Sequence, residues 1–107
     1  MVFDLSKITG IGPYDTSVET INSGDNAEKI SVHKVNSHAF LVERKNTIEV
    51  RTDSKLRDLL REKYESVMES RYFGKGGIEI VNSGQLSPEE IADLIRLSYN
   101  LTASKTI

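Results

Sequence analysis

Hydrophobic and polar residues alternate along three short stretches, about 29–35 (KISVHKV), 38–43 (HAFLVE) and 47–51 (TIEVR). A period of two with β-branched and aromatic side chains predicts half-buried strands. Asn36-Ser37 and Arg44-Lys45-Asn46 separate them, so the stretches read as an antiparallel meander. A tight turn at Asn36-Ser37 sets Val35 opposite His38 and Val32 opposite Leu41, and the next turn sets Leu41 opposite Ile48. One face then carries Ile30, Val32, Ala39, Leu41, Ile48 and Val50. The other carries His33, Val35, His38, Phe40, Val42, Glu49 and Arg51. The first is the natural core and the second is mixed; a slip of one residue would exchange them.

The period changes at Asp53. Leu56, Leu59, Leu60, Tyr64, Val67 and Met68 recur at helical spacing through about Ser70, with Asp53 or Thr52 as the cap. Arg57, Asp58, Arg61, Glu62 and Glu65 form the solvated side of this helix. Beyond Gly74-Lys75-Gly76-Gly77, residues Ile78, Ile80 and Val81 mark a fourth strand, and Asn82-Ser83-Gly84 turns the chain. Ser87-Pro88-Glu89-Glu90 then opens a helix over about 88–102, with Ser87 as N-cap, Pro88 at the first helical position and Glu90 completing a capping box. Its apolar face is Ile91, Leu94, Ile95, Leu97 and Leu101. The strand face is expected to pack on Leu59, Leu60, Tyr64, Val67, Leu94, Ile95 and Leu101.

Residues 1–28 carry less pattern. Met1–Ile8 suits a short helix or strand, Thr16–Ile21 a short strand, and Gly10-Ile11-Gly12-Pro13 and Asn22-Ser23-Gly24-Asp25-Asn26 break regular structure. The whole chain, 1–107, reads as a single α+β domain. It has a mainly antiparallel sheet of four to six strands with two main helices on one face, residues 1–28 as a variable N-terminal segment and 29–103 as the core.

Composition narrows the chemistry. Cysteine is absent, which removes disulfides, thiolate zinc sites and cysteine nucleophiles. No apolar run reaches membrane-spanning length and no secretory segment opens the chain, so a cytoplasmic protein is expected, with no membrane partner. The formal net charge is −2 and the isoelectric point about 5.7. Both ends are acidic, and the stretch 29–75 holds more Lys and Arg than Asp and Glu.

The only histidines, His33 and His38, fall near Glu49 in the register above, but their spacing matches no metal motif. No metal, cofactor or catalytic residue is assigned, and no nucleophile motif is present. An enzyme or metal binder using His33 and His38 is the weakest alternative. Gly74-Lys75-Gly76-Gly77 lacks the following Ser/Thr and helix of a phosphate loop. Gly74 reads as a left-handed helix cap and Gly76-Gly77 as a turn, or else their amides meet a phosphate or an acidic partner beside Arg71 and Lys75. ITGIGPYDTSVETI (8–21) echoes the glycine hairpin of helix-hairpin-helix DNA-binding modules, yet Asp15 and Glu19 stand where lysines are expected.

Two longer stretches, HAFLVERKNTIEVRTDSKLRDLLREKYESV and GGIEIVNSGQLSPEEIADLIRLSYNLT, give a strand pair running into a helix, then a strand, a turn and a last helix. This order resembles the MmcQ/YjbR family over about residues 34–103, most recognisably in Leu86-Ser87-Pro88-Glu89-Glu90 and Leu97-Ser98-Tyr99. The resemblance implies a CyaY-like fold, a curved antiparallel sheet with helices packed against it. DNA binding has been suggested for that family, without established catalytic residues. The chain lacks the tryptophan that members keep in the strand reading GKGGIEI here, and the longer amphipathic helix with which members often begin.

The leading functional expectation is a small non-enzymatic binding module of YjbR-like type, associated with nucleic acid through Arg44, Lys45, Arg51, Arg71, Tyr72, Phe73 and Lys75. The alternative is a protein–protein adaptor or homodimer, using the mixed face with His33, His38, Phe40 and Glu49 or a free edge strand.

Overall fold

The computed structural model describes residues 5–23, 26–82 and 84–104. Six strands form one antiparallel sheet: β1 (Asp15–Ser23), β2 (Asn26–Val35), β3 (His38–Glu43), β4 (Thr47–Arg51), β5 (Val67–Ser70) and β6 (Gly74–Val81). The order across it is β1-β2-β3-β4-β6-β5. Helix α1 (Ser54–Lys63) joins β4 to β5, and α2 (Pro88–Ser104) follows β6. The α+β class and the antiparallel sheet with two helices are as expected from the sequence. No helix is long and apolar enough to cross a membrane among the described residues.

Local signals account for the helix starts. Asp53 caps α1 by accepting the Leu56 amide on Oδ1 at 2.7 Å. At α2 the capping box closes both ways: Ser87 Oγ accepts the Glu90 amide at 3.1 Å and Glu90 Oε1 accepts the Ser87 amide at 3.0 Å. Asn36 and Ser37, both at positive φ (51° and 69°), form the tight β2–β3 turn and set Val35 opposite His38.

Beyond that turn the expected register fails. Lys34 pairs with Ala39 and His33 pairs with Leu41, leaving Phe40 as an extra residue in β3. This is a β-bulge, and its effect is to put Phe40 and Leu41 on the same side of the sheet. Val32 therefore pairs with Val42 rather than Leu41, and Leu41 pairs with Val50 rather than Ile48. Val35, Phe40, Leu41, Ile48 and Val50 join Ile78 and Ile80 under Ile91, Leu94 and Ile95 of α2. Ile30, Val32, Ala39 and Val42 form a second buried cluster on the opposite face, with Phe73 packed against it.

The second correction concerns the first helix. It ends at Lys63, and Tyr64 is extended (φ −125°, ψ 125°). Val67–Ser70 is a strand whose Val67 pairs with Ile80. Leu59, expected in the core, is 60 % exposed, and Leu101 is half-buried. The glycine run is likewise reassigned. Gly74 does sit at positive φ (60°), but at the start of β6 after the Arg71–Phe73 turn rather than at a helix end. Gly76 and Gly77 are strand residues. A Cβ on Gly77 would collide with the Val50 carbonyl oxygen and stand 2.9 Å from Phe73 Cβ, so this position needs glycine for close approach.

The N-terminal segment belongs to the same fold. Leu5 is buried in the helix-side core, with Ile8 and Ile11 packed against it. Arg96 of α2 donates through Nε to the Thr9 carbonyl at 2.5 Å. Ser17, Val18 and Thr20 lie in β1, so no helical hairpin forms there. Met1–Asp4 and the centre of the turn cluster at 24–25 fall outside the described residues.

Candidate functional site

The face away from the helices carries the polar chemistry. Pairing runs through Ser17, Val32, Val42, Glu49, Glu79 and Met68, one residue from each strand. Alternation along β4 and β6 sends Ile48, Val50, Ile78 and Ile80 to the helices and leaves Glu49 and Glu79 on this side. Two carboxylates thus stand directly opposite one another, both buried, an arrangement that repels unless cations intervene.

Two arginines supply them. Arg44 donates through Nε to Glu49 Oε2 at 2.5 Å and through Nη1 to Glu28 Oε2 at 3.0 Å. Glu49 Oε1 also accepts Ser70 Oγ at 2.7 Å and the Tyr72 amide at 2.8 Å. Arg71 grips Glu79 with Nε at 2.9 Å and Nη2 at 2.6 Å, and Thr47 Oγ1 donates to the same carboxylate at 2.8 Å. Glu28 lies 3.9 Å from Arg71 Nη1, so it links the two pairs.

Burial raises the Glu79 pKa. The hydrogen bonds from Arg71 and Thr47 and the charges of Arg71 and Arg44 outweigh it and hold the group below the usual carboxylate value. A depressed folded pKa means that ionised Glu79 stabilises the fold above its unfolded pKa. That contribution fades as pH falls through the unfolded value and is gone below the folded one. Denaturant midpoints of the wild type and Glu79→Gln should therefore differ most near neutral pH and converge in acid.

At the edge of this cluster, Arg51 donates through Nε to the Ala39 carbonyl at 2.6 Å, and its guanidinium lies 4.8 Å from the Phe73 ring centre. Burial lowers the Arg51 pKa, with Tyr72 opposing. Tyr72 packs edge-on to Phe73, ring centres 5.1 Å apart, and is 38 % exposed. Burial and the charge of Glu19 on β1 push its phenol up, Arg51 opposes them, and Glu49 adds to the rise.

The structure brings the expected nucleic-acid residues together only in part. Arg44, Arg51, Arg71, Tyr72 and Phe73 gather on this face, but Arg44 is buried and both Arg44 and Arg71 are bound by carboxylates. Lys45 is exposed in the turn before β4. Lys75 is exposed beyond the Arg51–Gly77 pair at the other end of that strand.

Nor do His33, His38, Phe40 and Glu49 form one face. The bulge turns Phe40 in among the helices, and His33 pairs with Leu41 on that side. His38 is exposed at the β2–β3 turn, and Glu49 lies on the opposite face. His33 instead sits with Nδ1 2.7 Å from Thr16 Oγ1 and Nε2 3.5 Å from Glu43, edge-on to the Tyr14 ring with ring centres 6.0 Å apart. No group of three His, Asp or Glu side chains placed to hold a metal occurs among the described residues.

Two further surfaces stand out. An open groove of about 260 Å³ lies between α1 and α2, lined by Leu56, Leu60, Leu86, Leu94 and Leu97 with Glu90 and Asp93 on its rim. The other is the outer side of β1. It is an edge of the sheet, regular along its whole length, with Val18 66 % exposed. A free edge was among the sequence-based candidates, but its identity needs the strand order, which local pattern does not contain. Glu28 and Glu79 were missed as site residues because nothing near them in sequence announces Arg44 and Arg71. Comparison with protein-family models, curated proteins and solved structures finds no match to this chain.

Proposed function

We propose that the protein is a non-enzymatic protein-binding module whose contact surface is the free edge of β1. The observation that carries this reading is the contrast between the two edges of the sheet. β5 is four residues long and its pairing with β6 is interrupted by a bulge, both features that blunt an edge. β1 is nine residues long, pairs with β2 without interruption and contains neither proline nor lysine. Every second residue of an antiparallel edge strand turns its N–H and C=O outward, and an extended segment added there gains main-chain hydrogen bonds.

A second reading keeps nucleic acid as the partner, supported by the exposed Tyr72 beside Arg71 and by the family resemblance over residues 34–103. The pairing of Arg44 and Arg71 with Glu28, Glu49 and Glu79 favours the first reading, because neutralised cations release few counterions from a phosphate backbone.

The test is a selection of binders from a random library of extended peptides, followed by amide exchange of the complex. Selected peptides should slow exchange along β1. A library that yields no peptide protecting β1 removes this function. A low-salt titration with duplex DNA provides the second arm. Binding that weakens steeply with salt and perturbs Arg71 and Tyr72 would transfer the function to nucleic acid.

A further inference from the structure

We infer that the segment taken up by β1 belongs to another protein and is basic at alternate positions; this rests on the edge-binding reading above. The side chains of β1 divide by face. Asp15, Ser17 and Glu19 share the side of Val32 and Ile30, while Thr16, Val18 and Thr20 share the side of His33. An added antiparallel strand keeps its own alternation, so its residues on the first side stand against Asp15, Ser17 and Glu19.

That side is acidic. β1 holds no Lys or Arg. Asp15 lies opposite Lys34, but Glu19 lies opposite Ile30, and neither Asp15 nor Glu19 is in an ion pair among the described residues. Of the cations on this face, Arg44 and Arg71 are held by Glu28, Glu49 and Glu79, Arg51 donates to the Ala39 carbonyl, and Lys34 stands opposite Asp15 rather than Glu19. A partner strand therefore meets, on one side, the carboxylate of Glu19, which has no cationic cross-strand neighbour on β2 and no ion pair among the described residues, and that of Asp15 opposite Lys34. On the other it meets Thr16, exposed Val18 and Thr20, which suit β-branched or small apolar residues.

The same pattern disfavours a second copy. Two β1 strands overlapping fully about a twofold axis place Glu19 directly opposite Glu19, and like charges in that position repel. A heterologous strand alternating Lys or Arg with Val or Thr removes the repulsion and supplies the missing cations.

The experiment uses the full chain and three capped peptides as long as β1. Each alternates valine with lysine, glutamine or glutamate. Amide exchange and chemical shifts of β1 report the site. At low salt the lysine peptide should bind about tenfold more tightly than the glutamine one, and the glutamate peptide more weakly still, with the difference shrinking as salt is added. Glu19→Lys, a change at a half-exposed position, should reverse the ranking. A lysine peptide with alternate amides methylated should lose binding.

Equal protection of β1 by all three peptides overturns the charge inference and leaves the edge-binding function standing. Protection by none of them overturns both. A solution mass twice that of the chain, with the same β1 amides protected without peptide, makes a second copy the occupant and overturns the inference as well.

Discussion

Replacing Glu49 with alanine should lower stability by about 3–5 kcal/mol, the largest loss expected from any single polar side chain in the protein. The side chain is fully buried and accepts from three groups at once: the Arg44 guanidinium, Ser70 Oγ and the Tyr72 amide; Arg44 in turn also binds the Glu28 carboxylate. Its removal leaves Arg44 buried with only the more exposed Glu28 for a partner, and leaves two further donors without an acceptor. The size of the loss comes from that stranded charge rather than from the strength of any one bond. It follows that Arg44→Met combined with Glu49→Leu should be considerably more stable than Glu49→Ala, because both desolvation costs disappear together. Recovery stays incomplete, since Ser70 and the Tyr72 amide still lack their acceptor. Urea denaturation of the single and paired variants measures this directly. A Glu49→Ala midpoint close to wild type would show that the cluster adds nothing to folding.

The same cluster shows where sequence reading reaches its limit. Signals that act within a few residues were legible. Asp53 and the Ser87–Glu90 box gave the helix starts, and Asn36-Ser37 gave the tight turn with the Val35–His38 pair. Features decided by distant partners were not. Tyr64, Val67 and Met68 fit a helical stripe, yet four residues are too few to separate a helix turn from a strand, and pairing of Val67 with Ile80 settles it. The glycines at 74–77 resemble a turn by composition. They belong to a strand because Gly77 must pass close to the Val50 carbonyl and Phe73, neither adjacent in sequence. Alternation alone puts Glu49 on the side opposite Ile48 and Val50, as the structure does. Its partner Ser70 became visible only with the strand order β4-β6-β5, whereas Arg44 reaches it across the neighbouring β3–β4 turn.

The sharpest departure from the expected register is the bulge at Phe40, and it yields the second large effect. In a regular strand Phe40 and Leu41 would point to opposite faces, and one large side chain would be lost from the helix-side core. The extra residue lets both point inward. Phe40 is fully buried, packs at right angles to Tyr99 with ring centres 5.2 Å apart, and lies 6.1 Å from the Tyr14 ring. The distorted backbone is held from the helix side. Ser98 Oγ donates to the Phe40 carbonyl at 2.5 Å and accepts the Arg51 amide at 2.8 Å, so one buried hydroxyl ties α2 to both β3 and β4. Phe40→Ala should therefore cost about 3–5 kcal/mol through lost burial and the cavity left among Tyr99, Tyr14 and His33. In thermal unfolding, roughly 4–8 °C per kcal/mol for a chain near this size, the transition should fall by well over 10 °C. Phe40→Leu keeps most of the volume and should lose clearly less. Ser98→Ala should cost about 1–3 kcal/mol, because it leaves a buried carbonyl and a partly buried amide unpaired. The two sites are in contact, so the double variant Phe40→Ala, Ser98→Ala should lose less than the sum of the single losses. Strict additivity in that cycle would mean that the bulge is held without Ser98, and that α2 rests on β3 through apolar packing alone.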